Sequence, residues 1–148
     1  MLPMNRRNAL AALVLLAVGA VAGYVTQQPQ DTSQHVAQPG AEAVLAAFAA
    51  RRSDQWLEAG GVVARALPDD KQGDRHQRFI LNVNSNHSVL VAHNIDLAPR
   101  VPLSAGDSVV LRGEYEWNDK GGVIHWTHHD PRGRHEGGWI RHDGKTYR

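Results

Sequence analysis

Nine histidines stand among the 148 residues, and five of them fall in the last 24. The densest group reads His125-Trp-Thr-His128-His129-Asp130, with His135 just beyond. Imidazole nitrogen and carboxylate oxygen are the ligands that zinc and similar borderline divalent ions take where no thiolate is at hand. This chain has no cysteine. His93 joins the set if its strand lies beside theirs, so the metal candidates are His93, His125, His128, His129, Asp130 and His135, with zinc the cofactor they would hold. Their spacing is not that of an established zinc signature such as His-Glu-x-x-His. On a strand, His125 and Thr127 point one way while Trp126 and His128 point the other. His125 and His128 therefore meet at one ion only if the strand ends or bulges near Thr127. Asp130-Pro131 favours an ending there, because the residue before a proline is pushed out of helix. The alternative is structural, since one imidazole ring offers a donor and an acceptor that can satisfy backbone groups at strand ends.

A second group suits ligand binding. His76 lies in Gly-Asp-Arg-His-Gln-Arg78, and the guanidinium forks of Arg75, Arg78 and Arg100 match phosphate or carboxylate. The same arginines can instead pair with Asp69, Asp70 and Asp74 nearby in sequence. His93-Asn94-Ile-Asp96-Leu-Ala-Pro-Arg100 has the varied polar character of a binding loop. Asn94 and Asp96 serve equally well as turn formers. Trp126 and Trp139 could stack on a base or a sugar, whereas strand phase assigns Trp117 to the core. No nucleophilic serine with partners, phosphate-cradling glycine loop or dinucleotide fingerprint is present.

The elements that must position these residues begin after an export-type N-terminus. Arg6 and Arg7 precede an uncharged apolar run from Ala9 to Val25, the pattern of a signal peptide or a retained membrane anchor. Ala20-Val21-Ala22 fits the small-x-small pattern of signal-peptidase cleavage. Residues 1–25 are thus read as signal or anchor, which implies export to the periplasm, soluble or tethered to the inner membrane. Without Arg6 and Arg7 the remainder carries 14 basic against 15 acidic residues, which offers no broad basic surface to nucleic acid. Residues 26–40 are polar with two prolines and read as a linker.

Residues 41–148 form one domain. Ala41 to Glu58, with Val44, Leu45, Phe48, Trp56 and Leu57 at mostly helical spacing, predicts an amphipathic helix to about Arg52 or slightly beyond. Strands follow at 61–67, 77–83, 88–93, 108–117 and 123–128, separated by turn residues. In the fourth, Val109, Leu111, Gly113, Tyr115 and Trp117 share a core face; Arg112, Glu114 and Glu116 share the wet one, the glutamates pairing with Arg112 or water. Five strands and a flanking helix predict a mainly β domain: a small five-stranded OB-like barrel, with a sandwich as the rival.

Several blocks carry a resemblance. Leu67-Pro-Asp-Asp70, Gly73-Asp-Arg-His-Gln-Arg-Phe79, His93-Asn-Ile-Asp-Leu-Ala-Pro-Arg100 and Gly113-Glu-Tyr-Glu-Trp-Asn118 stand in order. Gly121-Gly-Val-Ile-His-Trp-Thr-His-His-Asp-Pro131 and His135-Glu-Gly-Gly-Trp139 follow. Together they resemble a bacterial family known as domain of unknown function 3465, over about Gly60 to Arg148. The resemblance implies a short exported protein and no particular activity.

Two functions follow from the residues. One is a binding module that holds a polar or anionic ligand at a rim of His76, Arg78, His93, Asn94, Asp96, Arg100, Trp126 and Trp139. The other is a metal-dependent hydrolase of the phosphodiesterase or nuclease kind, in which the His93 and His125–His135 set holds the ion and bound water supplies the nucleophile. A structural envelope protein is the third, weaker reading.

Overall fold

The computed structural model describes residues 38–148; the apolar run and most of the linker lie outside the described residues. Among the described residues no helix is long and apolar enough to cross a membrane.

The helix, α1, spans Ala41–Ala49. Alanine supplies its propensity, and Ala41, Val44 and Ala47 supply one buried face, with Phe48 packed against the core. It starts at Gly40, whose left-handed φ of 76° suits glycine, and where a Cβ would overlap the Glu58 carbonyl. The helix is shorter than expected. Arg51 and Asp54 both take positive φ, and Trp56 and Leu57, which continue the helical spacing in sequence, lie in a strand.

That strand, β1, runs Gln55–Asp70 and is more than twice the length expected. Its first half pairs antiparallel with β4 (Ser108–Glu116), from Gln55 opposite Tyr115 to Val62 opposite Ser108. Its second half pairs with β2 (His76–Asn82), from Val62 opposite Asn82 to Asp70 opposite His76, across two register shifts. One long strand with two partners brings the ends of the sheet together. β2 pairs with β3 (Ser88–Asn94), β3 runs parallel to β5 (Val123–His125), and β5 pairs antiparallel with β4. The five strands thus form a ring, β1-β2-β3-β5-β4-β1.

Two further strands extend the sheet: β6 (Trp139–His142), beside β4, and β7 (Lys145–Tyr147). These are additions to the five expected. They escape a hydrophobic-pattern reading because each is only three or four residues long, too short to show a period. Asp143 and Gly144, both at positive φ between paired His142 and Lys145, form the two-residue turn that an Asp-Gly dipeptide favours.

Strand alternation decides the interior. Phe79 and Leu81 of β2, Val89 and Val91 of β3, Val109, Leu111 and Tyr115 of β4, Ile124 of β5 and Ile140 of β6 are all buried. Each fully buried large aliphatic or aromatic side chain contributes about 1.5–3 kcal/mol of transfer free energy. Trp117, just past β4, packs against this core and donates its indole N–H to the Phe48 carbonyl at 3.2 Å. The same alternation points His93 inward and leaves Arg78, Ala92, His125 and Glu114 on the outer face.

Candidate functional site

The sequence-derived candidates divide between three environments. The first is internal. His93 is fully buried; its Nε2 lies 3.1 Å from the Pro99 carbonyl and its Nδ1 2.8 Å from the Thr127 hydroxyl. A carbonyl only accepts, so Nε2 carries the proton and Nδ1 accepts from Thr127. Burial pushes its pKa down, and both ring nitrogens are committed. Thr127 reaches this position because Trp126, at φ 54°, ends β5 three residues earlier than expected and turns the chain.

The second environment is the 93–101 loop. Asn94 accepts through Oδ1 from the backbone N–H groups of Asp96 and Leu97 at 2.9 and 3.2 Å. Asp96 accepts from the backbone N–H and the guanidinium of Arg75, both at 2.7 Å, and these bonds hold its carboxyl below the usual range. Arg100 pairs with Asp69. Gln77, not singled out by its sequence, is buried; it donates to the Val101 carbonyl at 2.7 Å and accepts from the Val101 N–H at 2.9 Å. Asn94, Asp96 and Arg100 therefore organise their own loop.

The third environment is the 126–138 segment. Asp130, its side chain only 2% exposed, accepts from the backbone N–H groups of Arg132, Arg134 and His135. These bonds, Arg132 first, lower its pKa. His128 donates Nδ1–H to the His129 carbonyl at 2.7 Å, and burial lowers its pKa. Trp126 sits between His128 and His135, with ring centroids 5.2 and 4.9 Å apart, and His135 also contacts Trp56 at 5.0 Å. His129 is exposed. Trp139 lies under the Arg141 guanidinium at 4.0 Å.

These side chains do not gather at one point. Among the described residues, the one group of three or more whose ligand atoms lie within 4.8 Å of one another is Glu114, Glu116 and His125. Of the expected metal ligands only His125 belongs to it. Nor do Glu114 and Glu116 pair with Arg112, which turns to Glu136 at 2.8 Å and to Glu58 at 3.9 Å. Both glutamates face His125, whose Nε2 lies 3.7 Å from a carboxylate oxygen of each. Hairpin register produces this: Glu114 is directly opposite His125, and Glu116 opposite Val123. A signal existed in the sequence, because a turn at 118–122 already implied that pairing.

An open cleft of about 330 Å³ crosses the outer face of the same strands. It runs from Asp70, His76 and Arg78, over Ala92 and Val123, to Glu116 and His125. His76 donates Nδ1–H to the Asp74 carbonyl at 2.9 Å, which leaves Nε2 as its free ring atom. Arg78 donates through Nε to the Pro68 carbonyl at 3.0 Å, and among the described residues its guanidinium has no carboxylate partner. Of the expected ligand-binding residues, His76 and Arg78 line this cleft together.

A comparison with curated proteins finds no match. The pattern of one family matches residues 30–148, an extent that takes in α1 as well as the strands and reaches further than the motifs from Gly60 onward. The chain belongs to the family described as protein of unknown function (DUF3465).

Proposed function

We propose that this protein is an exported binding module, an OB-like barrel whose outer sheet face holds a polar, anionic ligand. The five-strand ring β1-β2-β3-β5-β4-β1, with β3 parallel to β5, supports the OB-like reading. Such barrels take ligands on an outer sheet face. The observation that carries the reading is the cleft, with Arg78 and the free Nε2 of His76 on one wall and an apolar floor of Ala92 and Val123. Arg78 supplies a fixed cation held by one backbone bond, with its remaining donors available to phosphate or carboxylate oxygens. Export rests on the N-terminal pattern: paired arginines, then an uncharged apolar run.

A binding role is favoured over hydrolysis by the histidines expected to carry the reaction. His93 has both ring nitrogens bonded within the fold, and Asp130 is engaged by three backbone N–H groups.

Titration with a single-stranded oligonucleotide and with an acidic oligosaccharide at low salt, followed by tryptophan fluorescence, tests the proposal. Saturable quenching by at least one is expected. Arg78→Ala should weaken it tenfold or more, since a hydrogen bond to a charged group is worth about 1.5–3 kcal/mol. A flat response to both probes would refute the anion-binding reading.

A further inference from the structure

We propose that Glu114, Glu116 and His125 form a binding site for one divalent transition-metal ion of the zinc class, on the wall of the outer cleft. Three observations carry it. The Nε2 of His125 is buried and has no hydrogen-bond partner, although the ring as a whole is partly open. A polar atom withdrawn from water without a partner costs stability, so its position calls for an occupant. Its nearest charged neighbours are the two glutamate oxygens, each 3.7 Å away.

That distance is too long for a direct hydrogen bond and fits ligand atoms gathered around one ion. An imidazole N–H bonded to a carboxylate closes to about 2.7–2.9 Å. Ligand atoms about 2.1 Å from a tetrahedral ion lie roughly 3.4 Å apart, a few tenths of an ångström from the two His125–glutamate distances, and all three ligand atoms lie within 4.8 Å of one another. A single ion between the three groups satisfies all of them with small side-chain movements.

Charge provides the third observation. Glu114 and Glu116 project from the same face of β4, two residues apart, so their carboxylates repel. Among the described residues neither has a lysine or arginine partner, because Arg112 is held by Glu136 and Glu58. A divalent ion supplies the missing positive charge. One imidazole with two carboxylates suits zinc, whereas calcium prefers an all-oxygen shell. The ligands come from facing strands in fixed register, which pre-organises them. Glu116 and His125 line the same cleft as Arg78 and His76. An anionic oxygen of a bound ligand could complete the shell, but the site does not depend on that ligand.

Isothermal titration of zinc chloride into the tag-free full-length protein tests the site with the metal alone. About one equivalent should bind, and Glu114→Gln, Glu116→Gln and His125→Asn should each weaken it by roughly tenfold or more. His129→Ala should leave zinc affinity within about twofold. Loss of oligonucleotide or oligosaccharide binding with zinc binding retained would then fall on the anion proposal alone. Circular dichroism checks that the variants remain folded. In the wild-type protein, zinc should shift the ring signals of His125 by nuclear magnetic resonance. Absence of saturable zinc binding, unmoved His125 signals, or affinity lost with His128→Ala or His135→Ala but kept in the glutamine variants would overturn the proposal.

Discussion

Acidification from pH 7 to pH 5 should destabilise this domain through two buried imidazoles. His93 is wholly enclosed and His128 is 4% exposed. Burial lowers the pKa of both below the ordinary 6.5, and each is further disfavoured by positive charge on neighbouring histidines. The neighbouring charges are those of His128 and His76 for His93, and of His129, His76 and His135 for His128. For such a group the unfolded chain takes up a proton near pH 6.5 while the folded protein does not. Stability contributed by the neutral ring is therefore complete above pH 6.5 and declines as pH falls towards the lowered folded value. Between those two values each histidine contributes a slope of up to about 1.4 kcal/mol per pH unit. Both together give about 2.7 kcal/mol per unit where their windows overlap. Asp96 and Asp130 have lowered pKa values as well, but carboxylate stabilisation is lost only as pH falls below about 4, outside this range. Urea denaturation at constant ionic strength, followed by tryptophan fluorescence at half-unit steps from pH 7.5 to 5, measures the slope. His93→Gln keeps an amide able to meet one of the two partners and should reduce the slope by about half. A flat stability profile across this range, or a slope unchanged by both His93→Gln and His128→Gln, would refute the assignment of these rings as buried neutral groups.

Other substitutions test the frame that positions the cleft. Gln77→Ala should cost about 2–4 kcal/mol, because both the N–H and the carbonyl of Val101 lose their buried partner; urea midpoints measure this. Gly113→Ala should cost about 1–3 kcal/mol or more, since the new Cβ would press on the backbone carbonyl of His125 and lie 2.8 Å from Ile124 Cγ2. Denaturation midpoints read the stability, and zinc titration should show the ion site weakened in the same variant.

Much of the architecture was legible along the chain. The period-2 pattern of 108–117 marked β4 and its two faces, and the strands at 76–82 and 88–94 fell within a residue or so of expectation. Local alternation suffices there because one face is buried, and a slip of one residue would expose it. Length and partnership were not legible. Trp56 and Leu57 fit a helical spacing equally well, and only pairing with Glu114 and Gly113 makes them strand. β6 and β7 have too few apolar residues to announce themselves and are defined by β4 and by the Asp143-Gly144 turn.

The candidate sites show the same division. Residue type alone identified imidazoles and carboxylates as the groups able to do chemistry, and the loop-to-strand position of His76 and Arg78 marked them as candidates for ligand binding. Which of them share a space depended on tertiary structure. His93 turns inward with the core because its strand's phase is set by Val89 and Val91, and Trp126 at positive φ sends Thr127 to meet it. Glu114 and Glu116 meet His125 rather than Arg112 because cross-strand register brings distant residues closer than sequence neighbours on one strand. Composition determined the available ligands; register and burial decided which of them face one another.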